Sequence, residues 1–232
     1  MIDLHSHILP QMDDGSRSTE ESLQMLTALA AQGVTDVAAT PHFYASENGP
    51  DRFLARRARS WQQLRPHLTA SLPRVHLGAE VLFFEGIAAF DGLPRLCLSG
   101  ADTLLLEMPF RPWSQRMLDE LLELADRPDV TVLLAHMERY LPYVAEPDWR
   151  RMARSGLYIQ SNADFFCGFS TRRKALRLLS EGRIHVLGTD CHNMERRAPR
   201  MDEAVRVRAL GDDTVRRLEE QARRLLERGG AA

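Results

Sequence analysis

Short apolar runs alternate with helix-period segments from one end of the chain to the other. Residues 2–5 read as a buried strand, and residues 8–17 as a polar loop holding Asp13-Asp14-Gly15. Ser18-Thr19-Glu20-Glu21 is a capping-box pattern, after which Leu23, Leu26, Leu29 and Ala30 recur at helical spacing until Gly33. Further strands are predicted over 34–40, within 74–84 through Glu80, and over 103–107, 130–135, 157–160 and 184–188. Further helices are predicted over 52–68, 114–125 and 148–153, from a Ser170 cap to Glu181, and over about 201–209 and 214–228. Strands that alternate with helices argue for a parallel sheet with helical crossovers. There are about seven such βα units, which suits an α/β barrel built as one domain over residues 1–232.

Composition changes this picture little. The chain is 44% hydrophobic and 27% charged, ordinary for a globular protein. A net charge of −2 gives no case for nucleic acid or an anionic membrane as partner. The longest apolar stretches are strand-sized, so no membrane insertion is expected. A strand starting at Met1 leaves no room for a signal peptide, and Cys97, Cys167 and Cys191 are too scattered for a disulfide framework. The expected compartment is the cytoplasm.

The chemistry lies at the predicted strand ends. Side chains at i and i+2 of a strand share a side, so His5 and His7 leave the first strand together. Neutral imidazole is the commonest protein metal ligand. Asp14 follows in the loop, His42 ends the second strand, and Glu80 lies in the third. Glu107, His136 and the pair Asp190 and His192 end later strands. In a parallel barrel these ends gather on one face, so the nine side chains are expected to converge. Singly, each has an ordinary alternative: Asp14 can form a turn with Gly15, and a strand-end histidine can be a hydrogen-bonding residue. Glu80, Glu107 and His136 adjoin apolar strands, however, and a polar group there needs a partner. The nitrogen and oxygen ligand mix suits Mn2+, Zn2+ or Fe. His67, His76 and His185 fit no strand-end pattern and are read as structural or surface residues.

Arg139 and Arg197 lie near the same face, and a planar guanidinium suits bidentate contact with phosphate oxygens. Arg196 is an alternative to Arg197. The spacing Cys-x5-Arg of thiolate phosphatases occurs at Cys167–Arg173 and Cys191–Arg197. A phosphate-cradling loop wants internal glycine. The first match has only Gly168, directly after the cysteine, and the second has none. Cysteine chemistry is therefore disfavoured.

The stretches MIDLHSHILPQMDDGSRSTEES, ATPHF, GAE, LLLEMPF, LLAHMERY and GTDCHN resemble the PHP (polymerase and histidinol phosphatase) superfamily. Within it they resemble the manganese-dependent tyrosine phosphatases of bacterial capsule and exopolysaccharide clusters, the CpsB/YwqE type. The resemblance runs from residue 1 to about residue 200. It departs at Cys191, between Asp190 and His192, and is weak over 43–52 and beyond 200. It implies a distorted (β/α)7 TIM-like barrel and a site for three divalent ions, manganese first among them. His5, His7, Glu80 and Asp190 would hold one ion. Glu80 would bridge to a second, also held by Glu107 and His136. Asp14, His42 and His192 would hold the third. Arg139 and Arg197 would bind phosphate. The implied substrate is phosphotyrosine on the tyrosine-rich tail of a bacterial tyrosine autokinase.

The expected reaction is phosphomonoester hydrolysis by in-line attack of a metal-bound hydroxide, with Asp14 or His42 assisting the leaving oxygen through water. Three other readings compete. One is a phosphatase for a small ester such as histidinol phosphate. Another is an amidohydrolase, a class that often uses a bridging carboxylated lysine; the sole lysine here, Lys174, falls mid-helix. The last is a metal-stabilised scaffold without turnover. For His5, His7 and Asp190 to share an ion, the first and last strands must meet, so metal binding and barrel closure are expected to be coupled.

Overall fold

A computed structural model describes residues 1–207 and 210–228. Its strands are β1 (Ile2–Ser6), β2 (Asp36–Ala39), β3 (His42–Phe43), β4 (Arg74–Leu77), β5 (Glu80–Leu82), β6 (Thr103–Glu107), β7 (Thr131–Leu134), β8 (Tyr158–Asn162) and β9 (Val186–Gly188). Every pairing is parallel, in the orders β1-β2-β4 and β3-β5-β6-β7-β8-β9. Each residue of β2, β6 and β7 is buried, as expected of parallel strands covered on both faces. The helices are α1 (Thr19–Ala31), α2 (Pro50–Leu64), α3 (Gln115–Ala125), α4 (Glu146–Met152), α5 (Ala163–Cys167), α6 (Arg172–Ser180), α7 (Met201–Val205) and α8 (Asp212–Glu227).

The curled sheet brings its first and last strands together. Just past β9, the Asp190 N–H donates to the His5 carbonyl at 2.8 Å, and the His7 N–H donates to the Cys191 carbonyl at 2.9 Å. Buried Asp3 adds a second tie, accepting the Thr189 N–H at 2.9 Å and the Thr189 hydroxyl at 2.5 Å. Most of the apolar core lies between helices and sheet. A smaller cluster joins Leu4, Leu105, Leu133 and Val186 to Ala222 and Leu225 of α8. That helix is anchored by the Thr103 hydroxyl, which donates to the Leu225 carbonyl at 2.6 Å. No helix among the described residues is long and apolar enough to cross a membrane.

Several boundaries differ from those the sequence predicts. The strand predicted over 34–40 is shorter, Asp36–Ala39, and past Pro41, which has no N–H for the ladder, His42 opens the separate strand β3 instead of ending the second. The strand within 74–84 is broken at Gly78, where a Cβ would sit 2.5 Å from Leu98 Cδ2. The helix expected over 52–68 starts earlier, because Pro50 suits a first helical turn, and tightens into a 3-10 turn at Arg65–His67. In α1 the Ser18 hydroxyl accepts the Glu21 N–H at 3.2 Å, while Glu21 reaches back to the Arg17 N–H at 2.8 Å.

Ser170 does not cap α6. Thr171 holds that position, and the Arg172 N–H is satisfied by the Gly168 carbonyl at 2.9 Å. The short α5 has no counterpart in the predicted elements. Of the helix expected over 201–209, α7 covers 201–205, and 208 and 209 lie outside the described residues. The last helix starts at Asp212 rather than 214, with Asp212 and Asp213 complementing the positive end of the helix dipole.

Candidate metal centre

Parallel strands place their C-terminal ends on one face, and the side chains there meet. His5 Nε2 lies 3.3 Å from His7 Nε2, 3.3 Å from Glu80 Oε2 and 3.4 Å from Asp190 Oδ1. His7 Nε2 lies 3.3 Å from Glu80 Oε2 and 3.5 Å from Asp190 Oδ1. Four bonds of about 2.0–2.2 Å to one ion, arranged tetrahedrally, set the ligand atoms roughly 3.3–3.6 Å apart. His5, His7 and Asp190 are thus spaced to hold one cation, with Glu80 Oε2 within 3.3 Å of both imidazoles.

Two further groups adjoin this one. His136 Nε2 lies 2.9 Å from Glu80 Oε1 and 3.4 Å from Glu107 Oε1. Asp14 Oδ1 lies 3.4 Å from His42 Nε2 and 3.3 Å from His192 Nε2. All nine side chains picked from the sequence therefore come together. Besides Glu80, whose two oxygens face His5 and His136, two of them face more than one group. His42 turns Nδ1 to within 2.9 Å of Glu80 Oε2, so it borders the Glu80–Glu107 group as well as Asp14 and His192. His7 likewise lies in ligand range of both the His5–Asp190 group and the Asp14–His42–His192 group.

The unsatisfied atoms point the same way. Five buried side-chain polar atoms make no hydrogen bond among the described residues, and four belong here: His42 Nδ1 and Glu80 Oε2, which are close but not aligned for one, His136 Nδ1 and His192 Nε2. Such atoms are costly in a protein interior unless something else satisfies them. Glu80, Glu107 and Asp190 are all buried, and clustered buried carboxylates call for positive charge. Burial opposes ionisation of Glu80, but His5, His136 and His42 hold its carboxyl well below the usual range. Burial also opposes charge on His136, and Glu107 and Glu80 outweigh it, raising that imidazole to about 9. His192 goes the other way, lowered to about 3 by burial and by the positive charge of His7. The donor set and its orphaned atoms fit divalent metal.

The backbone is strained at the same place. His136 has φ 29° and Asp190 has φ 52°, two of only three non-glycine residues with positive φ among the described residues. Left-handed backbone costs energy in such residues and persists where the surroundings enforce it. Each sits just past the end of its strand, β7 or β9, where the chain must turn to aim the side chain inward.

Arg139 and Arg197 converge on Asp190. Their Nη2 atoms lie 2.6 Å and 2.7 Å from its Oδ2, and both side chains remain partly exposed. The Asn193 side chain accepts the N–H groups of Glu195, Arg196 and Arg197, shaping the turn that aims Arg197. Arg196 is exposed, so Arg197 is the arginine brought to the cluster. Neither Cys-x5-Arg match forms a thiolate site. Burial pushes the wholly buried Cys191 thiol far up, and pushes Cys167 up to about 11. Lys174 is exposed on α6. His76 pairs with Asp36 at 3.1 Å, His185 accepts the Ile159 N–H at 3.0 Å, and His67 is exposed, all in keeping with ordinary structural roles.

Comparison with known proteins agrees with this geometry. A model of the family described as capsular polysaccharide synthesis, CpsB/CapC, matches residues 1–227. The chain belongs to the CpsB/CapC family. The tyrosine-protein phosphatase YwqE of Bacillus subtilis (strain 168) is 30% identical to it over 249 residues, spanning 97% of this chain and 91% of the relative. The tyrosine-protein phosphatase CpsB of Streptococcus pneumoniae is 28% identical over 220 residues, spanning 88% of each. Among solved structures, a chain from the work on YwqE of Bacillus subtilis and CpsB of Streptococcus pneumoniae, called there unique metal-dependent tyrosine phosphatases, has the same fold. It matches with a TM-score of 0.81 at 24% identity, over 98% of this chain and 95% of that one.

In this CpsB/CapC chain, three supporting residues went unassigned in the sequence. Asp13 accepts the His7 Nδ1–H at 2.7 Å, the His42 N–H at 2.9 Å and the Gly15 N–H at 2.9 Å. Gln160 accepts from His5 Nδ1 at 3.2 Å and from the His136 N–H at 2.7 Å, and donates to Asn162 at 2.8 Å. Asn162 in turn donates to Asp190 Oδ2 at 3.0 Å. These bonds select Nδ1 as the donor nitrogen of His5 and His7, so that a bound metal would meet each imidazole at Nε2. A signal was present for two of them: Gln160 and Asn162 stand two apart at the end of an apolar strand, on one side of it.

Proposed function

We propose that this CpsB/CapC protein is a metal-dependent protein-tyrosine phosphatase. The observation that carries the reading is the convergence of nine side chains beside two arginines, eight of them in groups spaced to hold cations and the ninth, His136, against Glu80 and Glu107. The names of the YwqE and CpsB relatives support the substrate class. His5, His7, Glu80 and Asp190 would hold one divalent ion, Glu80, Glu107 and His136 a second, and Asp14, His42 and His192 a third. His42 Nδ1 is positioned to contribute to the second as well. Manganese is the first choice, and the imidazole and carboxylate donors also suit Fe or Zn2+. We also read the nine short strands as seven positions of a distorted (β/α)7 barrel within one domain, counting β2 with β3 and β4 with β5.

Bound divalent ions supply Lewis acidity and lower the pKa of water. The chain's own groups do the rest. Arg139 and Arg197 bind non-bridging phosphoryl oxygens and orient the ester. Asp190 holds both guanidiniums in place through Oδ2 while Oδ1 faces the ligand cluster. Asp14, the most exposed of the nine, would with His42 assist the leaving oxygen through water. A tyrosine phenol, with pKa about 10, needs less such help than an alkoxide.

The substrate is phosphotyrosine on a protein, with the tyrosine-rich tail of a bacterial tyrosine kinase as the proposed partner, in the cytoplasm. Turnover of a phosphotyrosine peptide against histidinol phosphate by manganese-loaded protein tests the reading. A preference for the peptide is expected, and hydrolysis of histidinol phosphate alone would overturn it.

A further inference from the structure

We propose that Phe110 is a specificity-determining residue that receives the aromatic ring of the substrate, so that aryl phosphates bind in preference to alkyl phosphates. This rests on the phosphatase reading above. Phe110 is one of three large apolar side chains exposed among the described residues, at 45%. It lies three residues beyond Glu107, and its surroundings tie it to the site. Its ring centroid is 5.7 Å from that of His136, and the Arg139 guanidinium carbon lies 5.5 Å over its face.

The ring is held, not loose. It stacks on Tyr140 at 5.8 Å with an interplanar angle of 20°. Tyr140 is fully buried, accepts the Met108 N–H at 3.0 Å and packs on Trp113 at 5.1 Å. A rigidly backed aromatic ring left open to water, between a histidine of the cluster and an arginine poised for phosphate, gives the free protein little apolar burial in return. A phosphoryl group held by Arg139 carries its ester substituent one P–O–C linkage away. An aryl substituent spans that gap to Phe110, and a methyl group does not. Aromatic pairs with centroids 4.5–7 Å apart contribute enough to change affinity by about three- to tenfold.

The test is competitive inhibition of the manganese-loaded enzyme by phenylphosphonate and by methylphosphonate, neither of which has a leaving group. Wild type is expected to bind the phenyl compound more tightly. Phe110→Ala is expected to weaken phenylphosphonate about three- to tenfold and methylphosphonate less than about twofold, with Phe110→Tyr restoring the difference. KM for a phosphotyrosine peptide should rise in Phe110→Ala by a similar factor, with unchanged metal affinity. Equal weakening of both inhibitors, or of neither, while wild type still hydrolyses the peptide, would overturn the role of Phe110 alone. A wild-type enzyme that neither hydrolyses the peptide nor binds either phosphonate would overturn the phosphatase reading itself.

Discussion

Asp13 grips His7: its Oδ2 lies 2.7 Å from His7 Nδ1, and the same oxygen accepts the His42 N–H at 2.9 Å. One carboxylate therefore fixes the tautomer of one histidine of the cluster and the backbone position of another. Gly15 makes the arrangement possible. A Cβ there would come within 2.3 Å of the His7 carbonyl oxygen and 2.9 Å of Asp13 Oδ1.

Replacing Asp13 by Ala removes the acceptor for His7 Nδ1–H and leaves the imidazole free to turn. Carboxylates behind metal-bound histidines typically contribute about 10- to 100-fold to metal affinity. Asp13→Ala is expected to lose about that factor in Mn2+ affinity, measured by titration calorimetry, with its far-UV circular dichroism retained. Unchanged affinity would show that His7 is held by other means.

Closure of the sheet and the cation cluster share residues. The Asp190 N–H donates to the His5 carbonyl, while both side chains lie in the same ligand group. Metal that binds the folded state alone stabilises it by about 2.7 kcal/mol when free metal is 100 times Kd. Stripped protein is accordingly expected to melt below the manganese-loaded form in scanning calorimetry. Equal melting temperatures would separate closure from metal binding.

Much of this site was legible in the sequence because polar residues ending apolar strands need partners. His5, Glu107 and His136 announce themselves that way, and the parallel βα rhythm says their strand ends share a face. Asp13 was not separable from Asp14: two adjacent carboxylates in one loop look alike until the backbone turns one toward His7 and the other toward His192. The double contact of His42 was also hidden, since an imidazole has two nitrogens and sequence does not orient the ring. At the level of the fold, α5 escaped because five residues are too few to display a helical period. The breaks at Pro41 and Gly78 were visible as residues, but Gly78 is demanded by Leu98, twenty positions away.

His185 provides a pH-dependent contribution away from the cluster. Burial lowers its pKa, and its Nδ1 accepts the Ile159 N–H at 3.0 Å, which requires an unprotonated nitrogen. The unfolded chain, with a histidine pKa of about 6.5, binds the proton more readily. Stability from this group is therefore fully present above about pH 6.5 and is lost as pH falls below it. The melting-temperature difference between wild type and His185→Asn, measured in chelator, is expected to shrink from about pH 7.5 to about pH 5.5. A constant difference across that range would contradict the assignment.

The most direct test of metal-dependent phosphotyrosine hydrolysis compares wild type with Cys167→Ser and Cys191→Ser, each assayed on a phosphotyrosine peptide before chelation, after chelation and after Mn2+ is restored. The expected result is that all three proteins hydrolyse the peptide, lose that activity to the chelator and regain it with Mn2+. Activity that survives complete removal of metal, or that vanishes with either cysteine while wild type ignores the chelator, would contradict it.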